Sequence, residues 1–156
     1  MYLVVHASVG AVVGNALPAP AESFTAGLAS HFVLDMLPHG DEALGRIFID
    51  GHHPLLLSFL FVLDAIAGMS IVTIGWFYGI FPNGVGAFLG AVGAMLPDGL
   101  SGVSIVTGGR FLPAFYNFHK KNHTLTNLQA PVAVGATLQF ITVFVAVSAS
   151  LAIAFL

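Results

Sequence analysis

The charged side chains of this chain are confined to a few short stretches, and the gaps between them dictate its fold class. No Lys, Arg, Asp or Glu precedes Glu22, none lies between Asp64 and Asp98, and none follows Lys121. The last gap runs 35 residues, whereas a helix crosses the hydrocarbon core of a bilayer with about 20 apolar residues. Only 7% of the chain is charged and 57% is hydrophobic, against about 25% charge in a soluble domain. A shell so poor in charge cannot keep a globule of this size in water, which excludes an ordinary soluble enzyme and a disordered chain. Four basic residues and a net charge of -3 leave no surface for tracking phosphates, which excludes nucleic-acid binding. The lack of cysteine excludes disulfides, thiolate metal sites and cysteine nucleophiles. The expectation is an all-α, multi-pass membrane bundle of about five helices, some short or re-entrant, with residues 1–156 forming a single integral membrane domain.

Helix breakers divide the chain. Residues 2–17 are apolar apart from His6, Ser8 and Asn15. Ala19-Pro20-Ala21 resembles a signal-peptide cleavage site, but no basic segment precedes the apolar run, so it reads as a retained helix. Pro18 and Pro20 end it, and Glu22 or Ser23 starts a second helix to about residue 37. Residues 38–53 form a polar connection. Pro54 suits a first helical position, and the apolar run after it reaches Phe81. Pro82-Asn83-Gly84 marks a turn. A return helix is expected over about 85–97, ending at Pro97, and its Gly86 and Gly90 permit close approach of another backbone. Residues 99–127 are mixed, with a short amphipathic helix or loop around His119. Pro131 to Leu156 is the clearest span.

All four basic residues fall in two connections, Arg46 in one and Arg110, Lys120 and Lys121 in the other. Such connections face the cytoplasm. Alternating the helices from there places the seven histidines at that same membrane surface. Asp64 is then expected about 15 Å deeper, ten residues into the third helix.

His31 and Asp35 are four residues apart and share a helix face, and His119 and His123 repeat that spacing if their segment is helical. Imidazole nitrogens and carboxylate oxygens suit zinc, with manganese or iron as alternatives. The expected metal ligands are His31, Asp35, Asp98, His119 and His123, with Asp98 a fifth ligand or a bridge between two ions, and His6 closing the set. Carboxylates within apolar helices need a partner or water, and Asp64 is expected beside a site histidine or against Ser and Thr of neighbouring helices. His39, His52 and His53 read as surface groups. Lys120 and Lys121 read as a membrane anchor.

Taken together, His6 and Gly10, the run Ser30-His31-Phe32-Val33-Leu34-Asp35, Pro38-His39, Leu96-Pro97-Asp98, His119 and His123 resemble the LexA-binding, inner-membrane-associated hydrolases, also described as membrane-bound metal-dependent hydrolases. The resemblance covers most of the chain through short motifs. It implies a compact helical protein of the inner membrane with a His/Asp metal site, related in outline to zinc-dependent phospholipase C. Two departures stand out. Family members carry Pro-Asp-X-Asp where this chain has Pro97-Asp98-Gly99-Leu100, and Thr-His-Ser where it has Asn122-His123-Thr124. Either change can remove a second metal or alter the catalytic base.

The chemistry expected of such a site is metal-assisted hydrolysis, with Asp98 as general base or bridge and His6 as ligand or proton carrier. Membrane lipids are the expected surroundings, and a phosphoester or lipid-linked molecule the expected substrate. The competing expectation is a non-catalytic metal-binding or transport protein. A haem subunit fits less well, because most histidines are peripheral, and a purely structural subunit leaves the His/Asp set unexplained.

Overall fold

The computed structural model describes residues 1–40, 54–123, 125 and 130–154. Among these the regular structure is helical throughout: α1 Leu3–Asn15, α2 Pro20–Leu34, α3 Pro54–Phe77, α4 Gly84–Val106, α5 Pro113–His123 and α6 Val132–Ala154. The segments Leu55–Phe77, Gly84–Val106 and Val132–Ala152 are long and apolar enough to cross a bilayer. Large side chains such as Phe59 and Ile66 of α3 and Phe140 and Phe144 of α6 point outward, as lipid-facing surfaces require. The chain is a helical membrane protein.

The shortest apolar helix sits at the centre. With 13 residues, α1 reaches only about 20 Å and is too short to span. It is buried instead among α2, α3 and α4, with Leu3, Val5, Ala7 and Ala11 almost fully covered. Small residues make this possible. The α-carbons of Gly10 and Gly14 lie against the Gly90 and Gly86 carbonyls of α4, and Gly27 of α2 also packs on the Gly90 carbonyl. A Cβ at any of the three would overlap backbone oxygen. Thus α1, α2 and α4 meet backbone to backbone, as small residues allow in membrane bundles. The pairing of 14 with 86 and of 10 with 90 makes α1 and α4 antiparallel. One further turn along α1 and two along α4 bring His6 and Asp98 within side-chain reach, 3.7 Å apart.

Several boundaries differ from the sequence expectation. The helix expected to stop at Pro97 runs on to Val106, with Pro97 inside it. Proline removes one backbone donor and crowds the carbonyl four residues back, but a helix packed among others re-satisfies such groups. The next carbonyl, that of Ala94, accepts from His31 Nδ1. The mixed stretch after residue 99 is therefore the end of α4, a turn, and the short helix α5, which makes six described helices, in keeping with a bundle of about five and a short helix around His119. Gly108 and Gly109 adopt φ of 66° and 78°, a left-handed conformation open to glycine, and reverse the chain so that α5 returns towards α4. The second helix starts at Pro20 rather than at Glu22 or Ser23, since proline suits a first helical turn. It stops at Leu34, before residue 37. The third stops at Phe77, before Phe81.

Asp64 belongs to neither expected setting. Its carboxylate accepts from the backbone N–H of Leu3 at 2.5 Å and of Val4 at 3.2 Å. Gln139 Oε1 accepts from Tyr2 N–H at 2.8 Å. The first turn of a helix has donors without intrahelical partners, and α1 has no capping side chain of its own. Residues from α3 and α6 supply the cap. Asp64 is thus one turn of α1 from His6, rather than about 15 Å below the histidines. The connection containing Arg46, His52 and His53 lies outside the described residues.

Candidate metal centre

Four helix segments converge on one carboxylate. Asp35, at the C-terminal end of α2, is 1% exposed. Its Oδ2 lies 2.9 Å from His31 Nε2, 3.0 Å from His119 Nε2 and 3.1 Å from His123 Nε2. Its Oδ1 lies 3.2 Å from His6 Nε2 and 3.1 Å from the Met1 amino nitrogen. Asp98 stands at the edge of the cluster, 3.7 Å from His6 Nε2 and 3.6 Å from His119 Nε2. All six residues singled out in the sequence, His6, His31, Asp35, Asp98, His119 and His123, are brought together.

The local reasons are simple. His31 and Asp35 meet because they are one helical turn apart. His119 and His123 meet the same carboxylate because their segment is helical, as that spacing requires. Asn122 secures α5 to α2 by donating to the Phe32 carbonyl at 3.0 Å. His6 arrives through the glycine seam between α1 and α4.

Orientation of the rings follows from their second nitrogens. His31 Nδ1 donates to the Ala94 carbonyl at 2.7 Å, because a carbonyl only accepts. His39 Nδ1 likewise donates to the Leu37 carbonyl at 2.6 Å. His119 Nδ1 lies 2.6 Å from Ser101 Oγ. In a neutral imidazole whose Nδ1 donates, Nε2 carries a lone pair and no proton. Metal-binding histidines are oriented in this way, through the ring nitrogen that does not face the ion.

Two sets of ligand atoms lie within 4.8 Å of one another, and each could hold a metal ion: His31, Asp35, Asp98 and His119 in one, and Asp35, His39 and His123 in the other. No family model, curated protein or solved structure matches the chain. The donor set must therefore speak for itself, and it holds hard and borderline ligands only, nitrogen and oxygen, fit for a divalent ion of the zinc type.

His39 corrects a sequence expectation. It is 5% exposed and faces the cluster rather than the surface. Its backbone carbonyl accepts from Gln139 Nε2 at 2.9 Å, and the missing side chain of Gly135 lets α6 press against that carbonyl. Asp35, not Asp98, is the carboxylate common to both sets. Ser101 and Asn122 are the partners that sequence reasoning missed. Ser101 follows Asp98 by three residues and would have been found on the Asp98 face had the helix been continued through Pro97. Lys120 is exposed, and Asp64 lies outside the cluster.

The cluster is enclosed on most sides. His6 and His31 are fully buried, while the side chains of Asp98 and His123 keep 17% and 19% exposure. The cluster is thus least covered at Asp98 and His123.

Proposed function

We propose that the cluster is a divalent-metal centre that activates water for hydrolysis of a membrane-delivered phosphoester or lipid-linked substrate. One observation carries the metal reading. The Nε2 atoms of His31 and His119 lie 2.8 Å apart, both beside Asp35 Oδ2, and the His31 Nδ1 proton is committed to the Ala94 carbonyl. A lone pair on neutral His31 and a carboxylate meeting in a buried space repel unless a proton or a metal ion lies between them, and we propose the metal ion. His6 adds to the demand, being fully buried with neither ring nitrogen in a well-formed hydrogen bond.

A divalent ion held there would lower the pKa of water towards about 7 and polarise a phosphoryl oxygen. Asp98, at the open edge, receives the proton of the attacking water. The water oxygen would then bond to phosphorus as the ester P–O bond breaks, with Asp98 returning that proton to the leaving oxygen. His6 relays protons between Asp98 and the interior or completes the ligand set. The histidines and aspartates among the residues that resemble inner-membrane, metal-dependent hydrolases are gathered in the cluster. Arg110, Lys120 and Lys121, in or beside α5, favour a cytoplasmic location for the open edge. Transport is disfavoured, because Asp64, the one acidic residue of α3, is engaged by the backbone of α1.

The test is a hydrolase assay on detergent-purified protein stripped with chelator and reloaded with zinc or manganese. Aryl phosphomonoesters, aryl phosphodiesters and a phospholipid monoester serve as substrates. Turnover of at least one should require metal, and Asp98→Asn should lower it by roughly 100-fold or more. Fully loaded protein that turns over none of them contradicts the hydrolase reading.

A further inference from the structure

We infer that the centre takes two divalent cations that share the Asp35 carboxylate, the second held by His39 and His123. This rests on the metal reading above and extends it. An ion of the zinc type accepts about four protein ligands at about 2.0–2.2 Å. Six side chains present themselves here, in two sets whose shared member is Asp35. The first set, His31, Asp35, Asp98 and His119, is already enough for one ion. His39 and His123 remain, with ring centroids 5.2 Å apart.

Their chemistry matches the role. His39 commits Nδ1 to the Leu37 carbonyl and turns Nε2 into a lone-pair donor. Its backbone is pinned by Gln139 from α6. His123 presents Nε2 to Asp35 Oδ2 at 3.1 Å. That same oxygen touches His31 and His119 of the first set, so the carboxylate stands between the two groups of imidazoles. Paired ions in hydrolytic centres lie about 3.5–4 Å apart and clamp both the attacking and the leaving oxygen.

The charge balance narrows the ligand. Two divalent cations bring four positive charges, and the two sets contain two carboxylates, Asp35 and Asp98. The excess positive charge selects an anionic ligand with two oxygens to offer, one for each ion. A phosphate ester or free phosphate meets that requirement, and a neutral amide does not.

Native mass spectrometry of the full chain released from detergent, after titration with zinc, counts the ions. Two equivalents are expected for the wild type and one for His39→Ala. A wild type that saturates at one equivalent overturns the two-ion centre and leaves the metal reading standing. A wild type that binds none overturns both. A second measurement needs no variant: loading with manganese should give an exchange-coupled electron paramagnetic resonance signal, and an isolated-ion spectrum at saturation overturns the shared Asp35. Inorganic phosphate should alter that coupled signal, and a spectrum indifferent to millimolar phosphate overturns the anionic ligand.

Discussion

Ser101 Oγ lies 2.6 Å from Nδ1 of His119, one helical turn beyond Asp98 on α4. The hydroxyl fixes which nitrogen of His119 faces Asp35. A histidine that loses such a partner still reaches the ion but can rotate or change tautomer, and loss of an outer partner commonly weakens metal affinity by about 10- to 100-fold. Ser101→Ala should weaken zinc binding by that range, measured by competition with a chelator of known affinity, with little effect on the fold. Unchanged affinity would show that Ser101 does not orient the ring.

The glycine seam between α1, α2 and α4 is a second point of leverage. A Cβ on Gly90 would overlap the Gly10 carbonyl, backbone that cannot swing aside. Overpacking of this kind costs about 1–3 kcal/mol or more. Gly99 on the same helix has nothing within 4 Å of a Cβ, and alanine there should be neutral or gain about 1 kcal/mol. Thermal unfolding in detergent should therefore drop for Gly90→Ala and hold or rise for Gly99→Ala. Equal behaviour of the two variants would contradict the packing described.

Asp64 tests how α1 is held. Removing a helix cap costs about 0.5–2 kcal/mol, and here the cap comes from another helix, so both α1 and its contact with α3 suffer. Asp64→Ala should lower the unfolding temperature, and Asp64→Asn, which keeps an acceptor oxygen, should recover part of the loss. Zinc should still bind to Asp64→Asn. If it does not, Asp64 has a role in the centre that capping does not describe.

Acid should release the metal through the imidazoles rather than through Asp35. Burial alone would raise the Asp35 carboxyl, but the imidazoles of His119, His123, His31 and His6 that surround it outweigh burial and hold the group far below the usual carboxylate range. A depressed carboxyl contributes stability that is fully present above its ordinary range and is lost only as pH falls towards the lowered value. Asp35 thus stays charged, while imidazole nitrogens, which must be free of protons to hold the ion, take up protons as the pH falls and compete with it. Zinc affinity should fall progressively as the pH is lowered from neutrality. Constant affinity between about pH 7 and about pH 5 would contradict histidine ligation.

The sequence made the membrane class and the gathering of the site residues legible for a physical reason. Charge-free stretches and i,i+4 spacing are local properties, so His31 with Asp35 and His119 with His123 are visible without knowing the fold. What was hidden depended on packing. Proline reads as a stop, yet Pro97 lies inside α4, a helix packed against α1 and α2, and Ser101 was hidden with it. His39 follows a proline after α2 and looked solvated, but Gln139 and Gly135, about a hundred residues on, bury it. Asp64 pairs with backbone N–H groups, which a side-chain pattern does not display.

The central claim is that a metal ion joins His31 to His119 at Asp35. X-ray absorption at the metal edge, on protein purified without chelator, tests it most directly. The account predicts a bound divalent metal ringed by nitrogen and oxygen at about 2.0–2.2 Å, with the outer-shell pattern of at least two imidazoles and no sulfur. His31→Ala together with His119→Ala should remove it. Protein that carries no metal above background, and whose unfolding temperature ignores added zinc and chelator alike, would contradict the account.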